Sequence, residues 1–326
     1  MIYRVTYLSG GLRVAGYVAL PPELSATAEE IQAFLRRECR DDELSAHAVA
    51  CILPSAGAAA RSAAAAGQAK PPAGEAEISA IDAEEDRLHP SADSGPAQKA
   101  ASVLGQRRRY PVFVYCRGGI GSVGRVRLDW LAEFASFGRI VVAPCYRGGE
   151  SGVGHDRFGG VDLEDSRVAL RLAQAIPFAD PAQIAVMGFS RGSINGTDAA
   201  IHEGASHLIL WGGLSDLGRT YEERIDLRRM LKRVLQGSVY KIPDVYRERS
   251  PIHMAGRIPC PVLIVHGKED VQVDYNHGLR MYEELRRLGK PADLITLEGL
   301  GHHMPQPVRM GVLAKIFAWL DASSTI

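Results

Sequence analysis

Two hydrophobic patterns divide the chain. Residues 2 to 20 alternate between apolar and polar positions around a Ser9–Gly11 turn, which predicts a β-hairpin. From Tyr110 onwards, short apolar runs alternate with segments whose apolar residues recur at helical spacing. Because strands that alternate with helices build a mostly parallel sheet, this pattern predicts an α/β fold with helices on both faces. The predicted strands cover residues 110–116, 139–145, 184–187, 207–211, 262–265 and 292–297.

Helical spacing predicts the elements between these strands. The predicted helices cover residues 129–137, 162–176, 193–201, 275–288 and 310–320. The connection after strand 207–211 is longer and holds an amphipathic segment from Leu227 to Leu235. That segment either covers the sheet or forms a small helical cap over an active site, at about residues 217–248.

Residues 21 to 108 have a different character. Alanine-rich runs and a Pro71-Pro72 pair give them low complexity, and such a segment buries little apolar area. A short helix is predicted over Thr27 to Arg37. We therefore expect the N-terminal hairpin (1–20) to be followed by a mostly flexible insertion (21–108) and then by the main domain (109–326).

Composition narrows the function classes. Lys plus Arg and Asp plus Glu both number 38, so net charge gives no reason to expect nucleic acid as a partner. No apolar stretch is long enough to span a membrane. The five cysteines are scattered without C-x-x-C spacing, which predicts neither a zinc site nor a disulfide framework and favours the cytoplasm. No metal or cofactor is implied, and the sequence is compatible with a homodimer.

The strand ending at Met187 runs into a Gly-x-Ser-x-Gly pentapeptide centred on Ser190. A helix is predicted directly after it, so the motif has the strand–turn–helix context of a nucleophile elbow. Flanking glycines let the backbone bend sharply and expose the serine hydroxyl. Ser190 is therefore the candidate nucleophile.

A carboxylate and a histidine follow Ser190, each after a predicted strand. Asp270 comes after strand 262–265, and His302 comes after strand 292–297. Because the carboxyl ends of parallel strands share one edge of a sheet, we expect these side chains to meet there. The order Ser, Asp, His is that of an α/β-hydrolase. In this chemistry His302 takes the proton of Ser190, while Asp270 orients the imidazole and stabilises its cation.

Neighbouring residues of the same types compete for two of these roles. The rivals are His303 for the base and Glu269 and Asp274 for the acid. Gly301 directly before His302 favours His302, and Asp270 is preferred over the flanking carboxylates. His266, before a glycine at a strand end, is interpreted as a structural turn residue.

The oxyanion formed during acyl transfer needs preorganised donors. One is the backbone N–H of Arg191, and the second is a backbone N–H of the glycine-rich loop at Gly119 or Ile120. Other loops at the same edge supply candidates for substrate binding. These are Arg117, Tyr146 and Arg147, with a buried salt bridge as the alternative role for either arginine.

The span from Tyr110 to the C-terminus resembles the catalytic domain of the prolyl oligopeptidase family, a branch of the α/β-hydrolase fold. The matching segments are Tyr146-Arg-Gly148, Gly188 to Gly192, Ser250-Pro-Ile252, His266-Gly-x-x-Asp270 and Glu298-Gly-x-Gly-His302. The resemblance implies a serine hydrolase that acts through an acyl-enzyme.

Departures from the family pattern bear on the substrate. The loop that often reads His-Gly-Gly-Pro in the family is Arg117-Gly-Gly-Ile120 here, and Ser193 replaces a common glycine. We expect no N-terminal β-propeller in this chain. The sequence thus leaves a short peptide or a small carboxylic ester as substrate, cleaved by a peptidase or a carboxylesterase. A hydrolase-like scaffold that binds without turnover is the alternative from another class.

Overall fold

The computed structural model describes residues 1–38, 48–53, 108–150, 153–176 and 178–323. The strands in these ranges are β1 (Ile2–Ser9), β2 (Leu12–Ala19), β3 (Ala48–Leu53), β4 (Tyr110–Cys116), β5 (Ile140–Pro144), β6 (Ala179–Phe189), β7 (His207–Trp211), β8 (Val262–Gly267) and β9 (Ala292–Leu297). They form one sheet in the order β3-β1-β2-β5-β4-β6-β7-β8-β9. From β5 to β9 all pairs are parallel, and the pairs among β3, β1, β2 and β5 are antiparallel.

Helices lie between the strands and after the last one. They are α1 (Ala28–Glu38), α2 (Leu128–Ala135), α3 (Leu163–Ala175), α4 (Gly192–Glu203), α5 (Leu217–Glu223), α6 (Arg228–Leu235), α7 (Pro243–Glu248), α8 (Pro251–Met254), α9 (Tyr275–Arg287) and α10 (Gln306–Ser323). The predicted α/β-hydrolase fold with a mostly parallel sheet is confirmed.

One strand lies where the sequence predicts an insertion. β3 pairs antiparallel with β1, with Val49 opposite Val5. Before it, α1 begins at a capping box in which the Glu30 N–H donates to Thr27 Oγ1 and the Thr27 N–H donates to the Glu30 carboxylate. The predicted boundary at residue 21 is therefore too early, because α1 and β3 extend the hairpin. The rest of the predicted insertion, residues 54–107, lies outside the described residues.

Alternation along the strands separates the two faces of the sheet. Phe113 of β4 points to one face, where its ring packs against Phe134 of α2 and Phe317 of α10 at centroid distances of 5.4 and 5.0 Å. Val186 of β6 points to the other face, where Gly196 of α4 comes close to it. Both faces are thus covered by helices, and the central parallel strands β5, β7 and β8 are buried along their whole length.

The strand order reverses beside β4. From β4 the chain passes to β5 on one side and then returns to β6 on the other. In open α/β sheets the crevice at the carboxyl ends next to such a switch point is where ligands bind. The loops after β4 and β6, which carry Gly119 and Ser190, flank this crevice.

The connection between β7 and β8 contains the segment Leu227 to Leu235 that the sequence predicts to be amphipathic, and this segment forms α6. Helices α5, α6 and α7 share an apolar cluster with Phe158, Ile194, Leu214 and Val273 of the main domain. This apolar contact fixes α5 and α6, which are together called the cap below, above the carboxyl ends of the strands. Within the described ranges, no helix combines the length and apolarity needed to cross a bilayer.

Candidate active site

Ser190 occupies the sharp turn between β6 and α4. Its φ is 55°, a left-handed conformation that is uncommon for a residue with a side chain. The turn closes because its flanking glycines lack a Cβ: at Gly192 a Cβ would lie 2.0 Å from the Cys116 carbonyl oxygen, and at Gly188 it would lie 2.5 Å from Ser193 Cα. The Ser190 N–H donates to the Trp211 carbonyl at 3.0 Å, which ties the elbow to β7. The predicted nucleophile elbow is therefore formed.

His302 and Asp270 meet at the ends of β9 and β8. His302 Nδ1 lies 2.7 Å from Asp270 Oδ2, and both residues are buried. The other carboxylate oxygen, Oδ1, accepts the N–H groups of Gln272 and Val273 at 2.9 Å each. A carboxylate held by backbone donors keeps one oxygen for the imidazole, so the ring orientation is fixed.

A second histidine, His266, also contacts Asp270. It is fully buried, with Nε2 at 2.8 Å from the Val273 carbonyl and 3.5 Å from Asp270 Oδ2. Burial alone would raise the pKa of Asp270, but the hydrogen bonds from His266 and His302 outweigh it and hold that pKa well below its usual range. Asp270 is thus favoured as the ionised carboxylate that pairs with His302.

The rival base is placed differently. His303 is exposed, and its ring packs against Phe189 and His302 without a hydrogen bond to Asp270. Burial of part of the ring and the neighbouring His302 both lower the pKa of His303. Of the two adjacent histidines, His302 and not His303 therefore has a carboxylate to set its tautomer.

The glycine-rich loop after β4 packs directly on the elbow. At Gly118 a Cβ would lie 2.8 Å from Ser190 Cβ, so only a glycine allows this approach. Arg117 donates from Nη1 to the Gly118 carbonyl at 3.0 Å and from Nη2 to the Cys145 carbonyl at 2.6 Å. Arg191 donates to the Gly119 carbonyl at 3.2 Å. Two guanidinium groups thus bind the loop through its carbonyls, which leaves its N–H groups for a ligand.

A buried cluster of charged side chains lies next to the same loop. The Arg191 side chain is 2% exposed and pairs with Asp156 and Asp162 at 2.7 Å each. The Tyr146 ring lies against the guanidinium groups of both Arg117 and Arg191, at 4.5 and 5.0 Å from its centroid. Although burial opposes it, Arg191 and three backbone N–H groups lower the pKa of Asp162. The buried charge of Arg191, a residue of the elbow, therefore links the elbow to the glycine-rich loop.

A cavity of about 400 Å³ opens between this loop, the elbow and the cap. The proposed triad members Ser190 and His302 line it, as does the loop from Arg117 to Ile120. Apolar side chains supply most of the remaining wall, and they are Val123, Trp130, Phe158, Phe189, Leu214, Leu227, Met230 and Val273. Trp130 contacts Phe189 at 5.1 Å and Trp211 at 6.4 Å between centroids, so one wall is an aromatic stack.

The structure corrects the predicted substrate-binding set. Arg117 lines the cavity, but its polar atoms hold the loop carbonyls. Tyr146 is fully buried beneath the loop. Arg147 is 6% exposed and pairs with Asp165 at 2.6 Å, which is the buried salt bridge that the sequence left as the alternative. Tyr146 and Arg147 are thus absent from the cavity wall because both point into the protein.

Several cavity residues carried no signal in the sequence. Arg125 and Arg127 follow the oxyanion loop, while Thr220 lies in α5 and Arg224 directly follows it. Their arrangement depends on how the cap folds over the sheet, which local patterns do not encode. Within the described residues, no group of three or more His, Cys, Asp or Glu could hold a metal ion.

The nine-stranded sheet, the elbow and the chain order Ser, Asp, His define an α/β-hydrolase. A family model described as "Prolyl oligopeptidase family" matches residues 126–325. The chain belongs to this family of peptidases, so the sequence-based assignment is confirmed.

Relatives agree with this assignment. An uncharacterized peptidase, YtmA of Bacillus subtilis (strain 168), is 41% identical over 214 residues, which are 65% of this chain and 83% of YtmA. Among solved structures, a puromycin-hydrolyzing peptidase of Mycobacterium tuberculosis has a TM-score of 0.62 at 22% identity, covering 99% of this chain and 38% of that one. The Pyrococcus horikoshii acylaminoacyl peptidase has a TM-score of 0.60 at 17% identity, covering 98% and 40%. The two solved structures show the shared fold.

Proposed function

We propose that this chain is a serine peptidase that cleaves its substrate through an acyl-enzyme. Ser190 attacks the scissile carbonyl while His302 takes its proton and then delivers it to the leaving group. Asp270 holds the imidazole and stabilises its cation. The backbone N–H groups of Arg191 and of the Gly119–Ile120 loop bind the oxyanion, where one such donor contributes about 3 kcal/mol.

One observation carries this proposal. His302 Nδ1 is engaged by Asp270 at 2.7 Å, and His302 and Ser190 line the same cavity. With Nδ1 donating to the carboxylate, Nε2 is the ring nitrogen that can accept a proton. A base with a fixed tautomer on the same cavity wall as a half-buried serine on an elbow is the arrangement that acyl transfer needs.

The proposed substrates are short peptides or acylated amides. The relatives above are named a peptidase, a puromycin-hydrolyzing peptidase and an acylaminoacyl peptidase. Activated esters pass through the same acyl-enzyme, so we propose that the chain also hydrolyses small carboxylic esters. Cytoplasmic location, a homodimer and the lack of a cofactor or nucleic-acid partner stay predictions from the sequence.

A fluorophosphonate probe and a panel of p-nitrophenyl esters and peptidyl p-nitroanilides test the proposal. Wild-type protein should be labelled and should turn over substrate. Ser190→Ala should lose labelling and about 10⁶-fold in kcat. Ser136→Ala, which removes a hydroxyl bonded to the Glu133 carbonyl at the end of α2, is the control and should keep both. Unlabelled wild type without turnover would favour the binding scaffold instead.

A further inference from the structure

The charged side chains on the cavity wall are all of one sign. Among the described residues that line it, five are arginines and none is Asp or Glu. The arginines are Arg117, Arg125, Arg127, Arg191 and Arg224. Which of them is available to a ligand depends on what each guanidinium already binds.

Two of the five are committed to the protein interior. Arg117 is 2% exposed and donates to backbone carbonyls of the oxyanion loop. Arg191 is equally buried and is neutralised by Asp156 and Asp162. These two groups shape the loop and offer no charge to a substrate.

Two more are paired at the mouth of the cavity. Arg127 binds Asp129 at 2.6 Å through a two-nitrogen contact. Arg224 binds Asp226 at 2.7 Å in the same way and also donates to the Gln272 carbonyl. Each of these arginines is thus matched by one carboxylate.

Arg125 is different. It is exposed, lines the cavity and has no ion-pair partner within the described ranges. Its backbone is nevertheless anchored, because the next N–H, that of Val126, donates to Glu150 at 3.2 Å. The preceding turn, Gly121–Gly124, continues directly from the oxyanion loop. A cation is therefore placed on the cavity wall, a few residues after the oxyanion loop.

The nearest acid of the site does not offset this charge. The Asp270 side chain has no exposed surface, and its oxygens are occupied by His302, His266 and two backbone N–H groups. A substrate ammonium would find no carboxylate oxygen on the described wall. An unpaired ammonium in a largely apolar cavity loses hydration without compensation.

We propose that the active-site cavity selects acyl groups that carry an apolar chain ending in a carboxylate, and that Arg125 binds this carboxylate. The inference rests on the proposed serine hydrolase function. The apolar wall accommodates the chain, and the guanidinium forms a charge-assisted hydrogen bond with the anionic end. Acyl groups with a free ammonium at the same place are disfavoured.

Three p-nitrophenyl esters with acyl chains of equal length test this selectivity. They are the hexanoate, which is neutral, the monoester of adipic acid, which is anionic, and the 6-aminohexanoate, which is cationic. After subtraction of the enzyme-free rate, kcat/KM should be about tenfold or more higher for the anionic ester than for the cationic one, because one is attracted and the other repelled. The ratio should fall towards one at about 1 M salt, where charges are screened beyond about 3 Å.

Variants assign the selectivity to one residue. Arg125→Gln should lower the anionic-to-neutral ratio of kcat/KM to about one, and Arg125→Lys should keep part of it because the charge remains. Arg229→Gln is the matched control: this exposed arginine of α6 lies off the cavity wall and should leave the ratio unchanged.

The outcomes separate this inference from the proposed function. Turnover of the hexanoate with equal or faster turnover of the cationic ester would overturn the inference and leave the hydrolase intact. A preference for the anionic ester that survives in Arg125→Gln would overturn the role of Arg125. If no ester is turned over and the fluorophosphonate probe fails, both proposals fall.

Discussion

At the scale of single residues, the acid of the site depends on a side chain that never reaches the cavity. His266 is buried, and it shares Asp270 Oδ2 with His302 while also binding the Val273 carbonyl. Because these bonds keep the pKa of Asp270 low, its protonation plays no part in the acidic limb of the pH profile. The sequence predicts His266 to be a structural turn residue, whereas the structure places it within β8, and its contact with the acid follows only from the fold.

The two adjacent histidines can be told apart by substitution. His302→Gln should lower kcat by about 10⁴-fold or more, since it removes the base that Asp270 orients. His303→Gln should stay within about tenfold of wild type, because its exposed ring has no carboxylate partner. Steady-state kinetics on one p-nitrophenyl ester make the comparison. Equal losses in the two variants would contradict the assignment of His302.

The direction of some loop side chains could not be predicted from the sequence. Ser190, Asp270 and His302 were predictable because each follows a strand, and strand ends fix where a loop residue lies. Tyr146 and Arg147 follow a strand too, yet both side chains point inward. Local pattern gives the position of a loop, whereas the direction of a side chain depends on partners such as Asp165, which are distant in sequence.

At the scale of elements, the proposed mechanism depends on the contact between the oxyanion loop and the elbow. The loop follows β4 and the elbow follows β6, and these strands are paired neighbours. Their ends are brought together without a side chain between them, because Gly118 lies against Ser190. The loop N–H groups are therefore positioned by backbone packing as well as by the two buried arginines.

A single added methyl group tests this contact. Gly118→Ala should push the loop away from Ser190 and lower kcat by about 10² to 10³-fold, the effect of losing one oxyanion donor. The free energy of unfolding should fall by about 1–3 kcal/mol. Gly256→Ala is the control, since its nearest neighbour would be 3.9 Å away, and it should leave both quantities unchanged. Activity of Gly118→Ala within about twofold of wild type would refute the role of this contact.

Most strands and helices were predictable from the sequence, whereas β3 was not. The parallel strands and their helices have clear apolar runs and helical spacing, so their bounds agree with the sequence to within a few residues. β3 has a similar run, Ala48–Leu53, but it lies beside alanine-rich sequence of low complexity. Its strand conformation comes from pairing with the free edge of β1, a tertiary contact that no local pattern reveals.

At the scale of the whole molecule, strand direction fixes which ends of β3 and β4 flank residues 54–107. β3 runs antiparallel to β1, and the pairings through β2 and β5 make it antiparallel to β4 as well. The C-terminal end of β3 and the N-terminal end of β4 therefore share the edge of the sheet opposite the elbow. The described ends that flank residues 54–107 lie away from the loops proposed to bind substrate.

Replacing residues 54–107 by a Gly/Ser linker should preserve activity. The ends of β3 and β4 are four strand spacings apart, about 19 Å at about 4.8 Å each. A flexible linker of about 15 residues has a root-mean-square length of about 21 Å, so it can join them without strain. We expect kcat/KM within about threefold of wild type and a thermal midpoint within a few degrees. Loss of turnover with retained thermal stability would show that the segment contributes to the site.

The aromatic wall of the cavity has an optical consequence. Trp130 lines the space where an acyl group would bind, and it contacts the buried Trp211. The third tryptophan, Trp319, lies in α10 and bonds to Asp293, outside the cavity lining. Intrinsic fluorescence therefore has a reporter inside the pocket, so occupancy can be followed in Ser190→Ala without a label. Trp319→Phe would remove the background emission from the rest of the molecule.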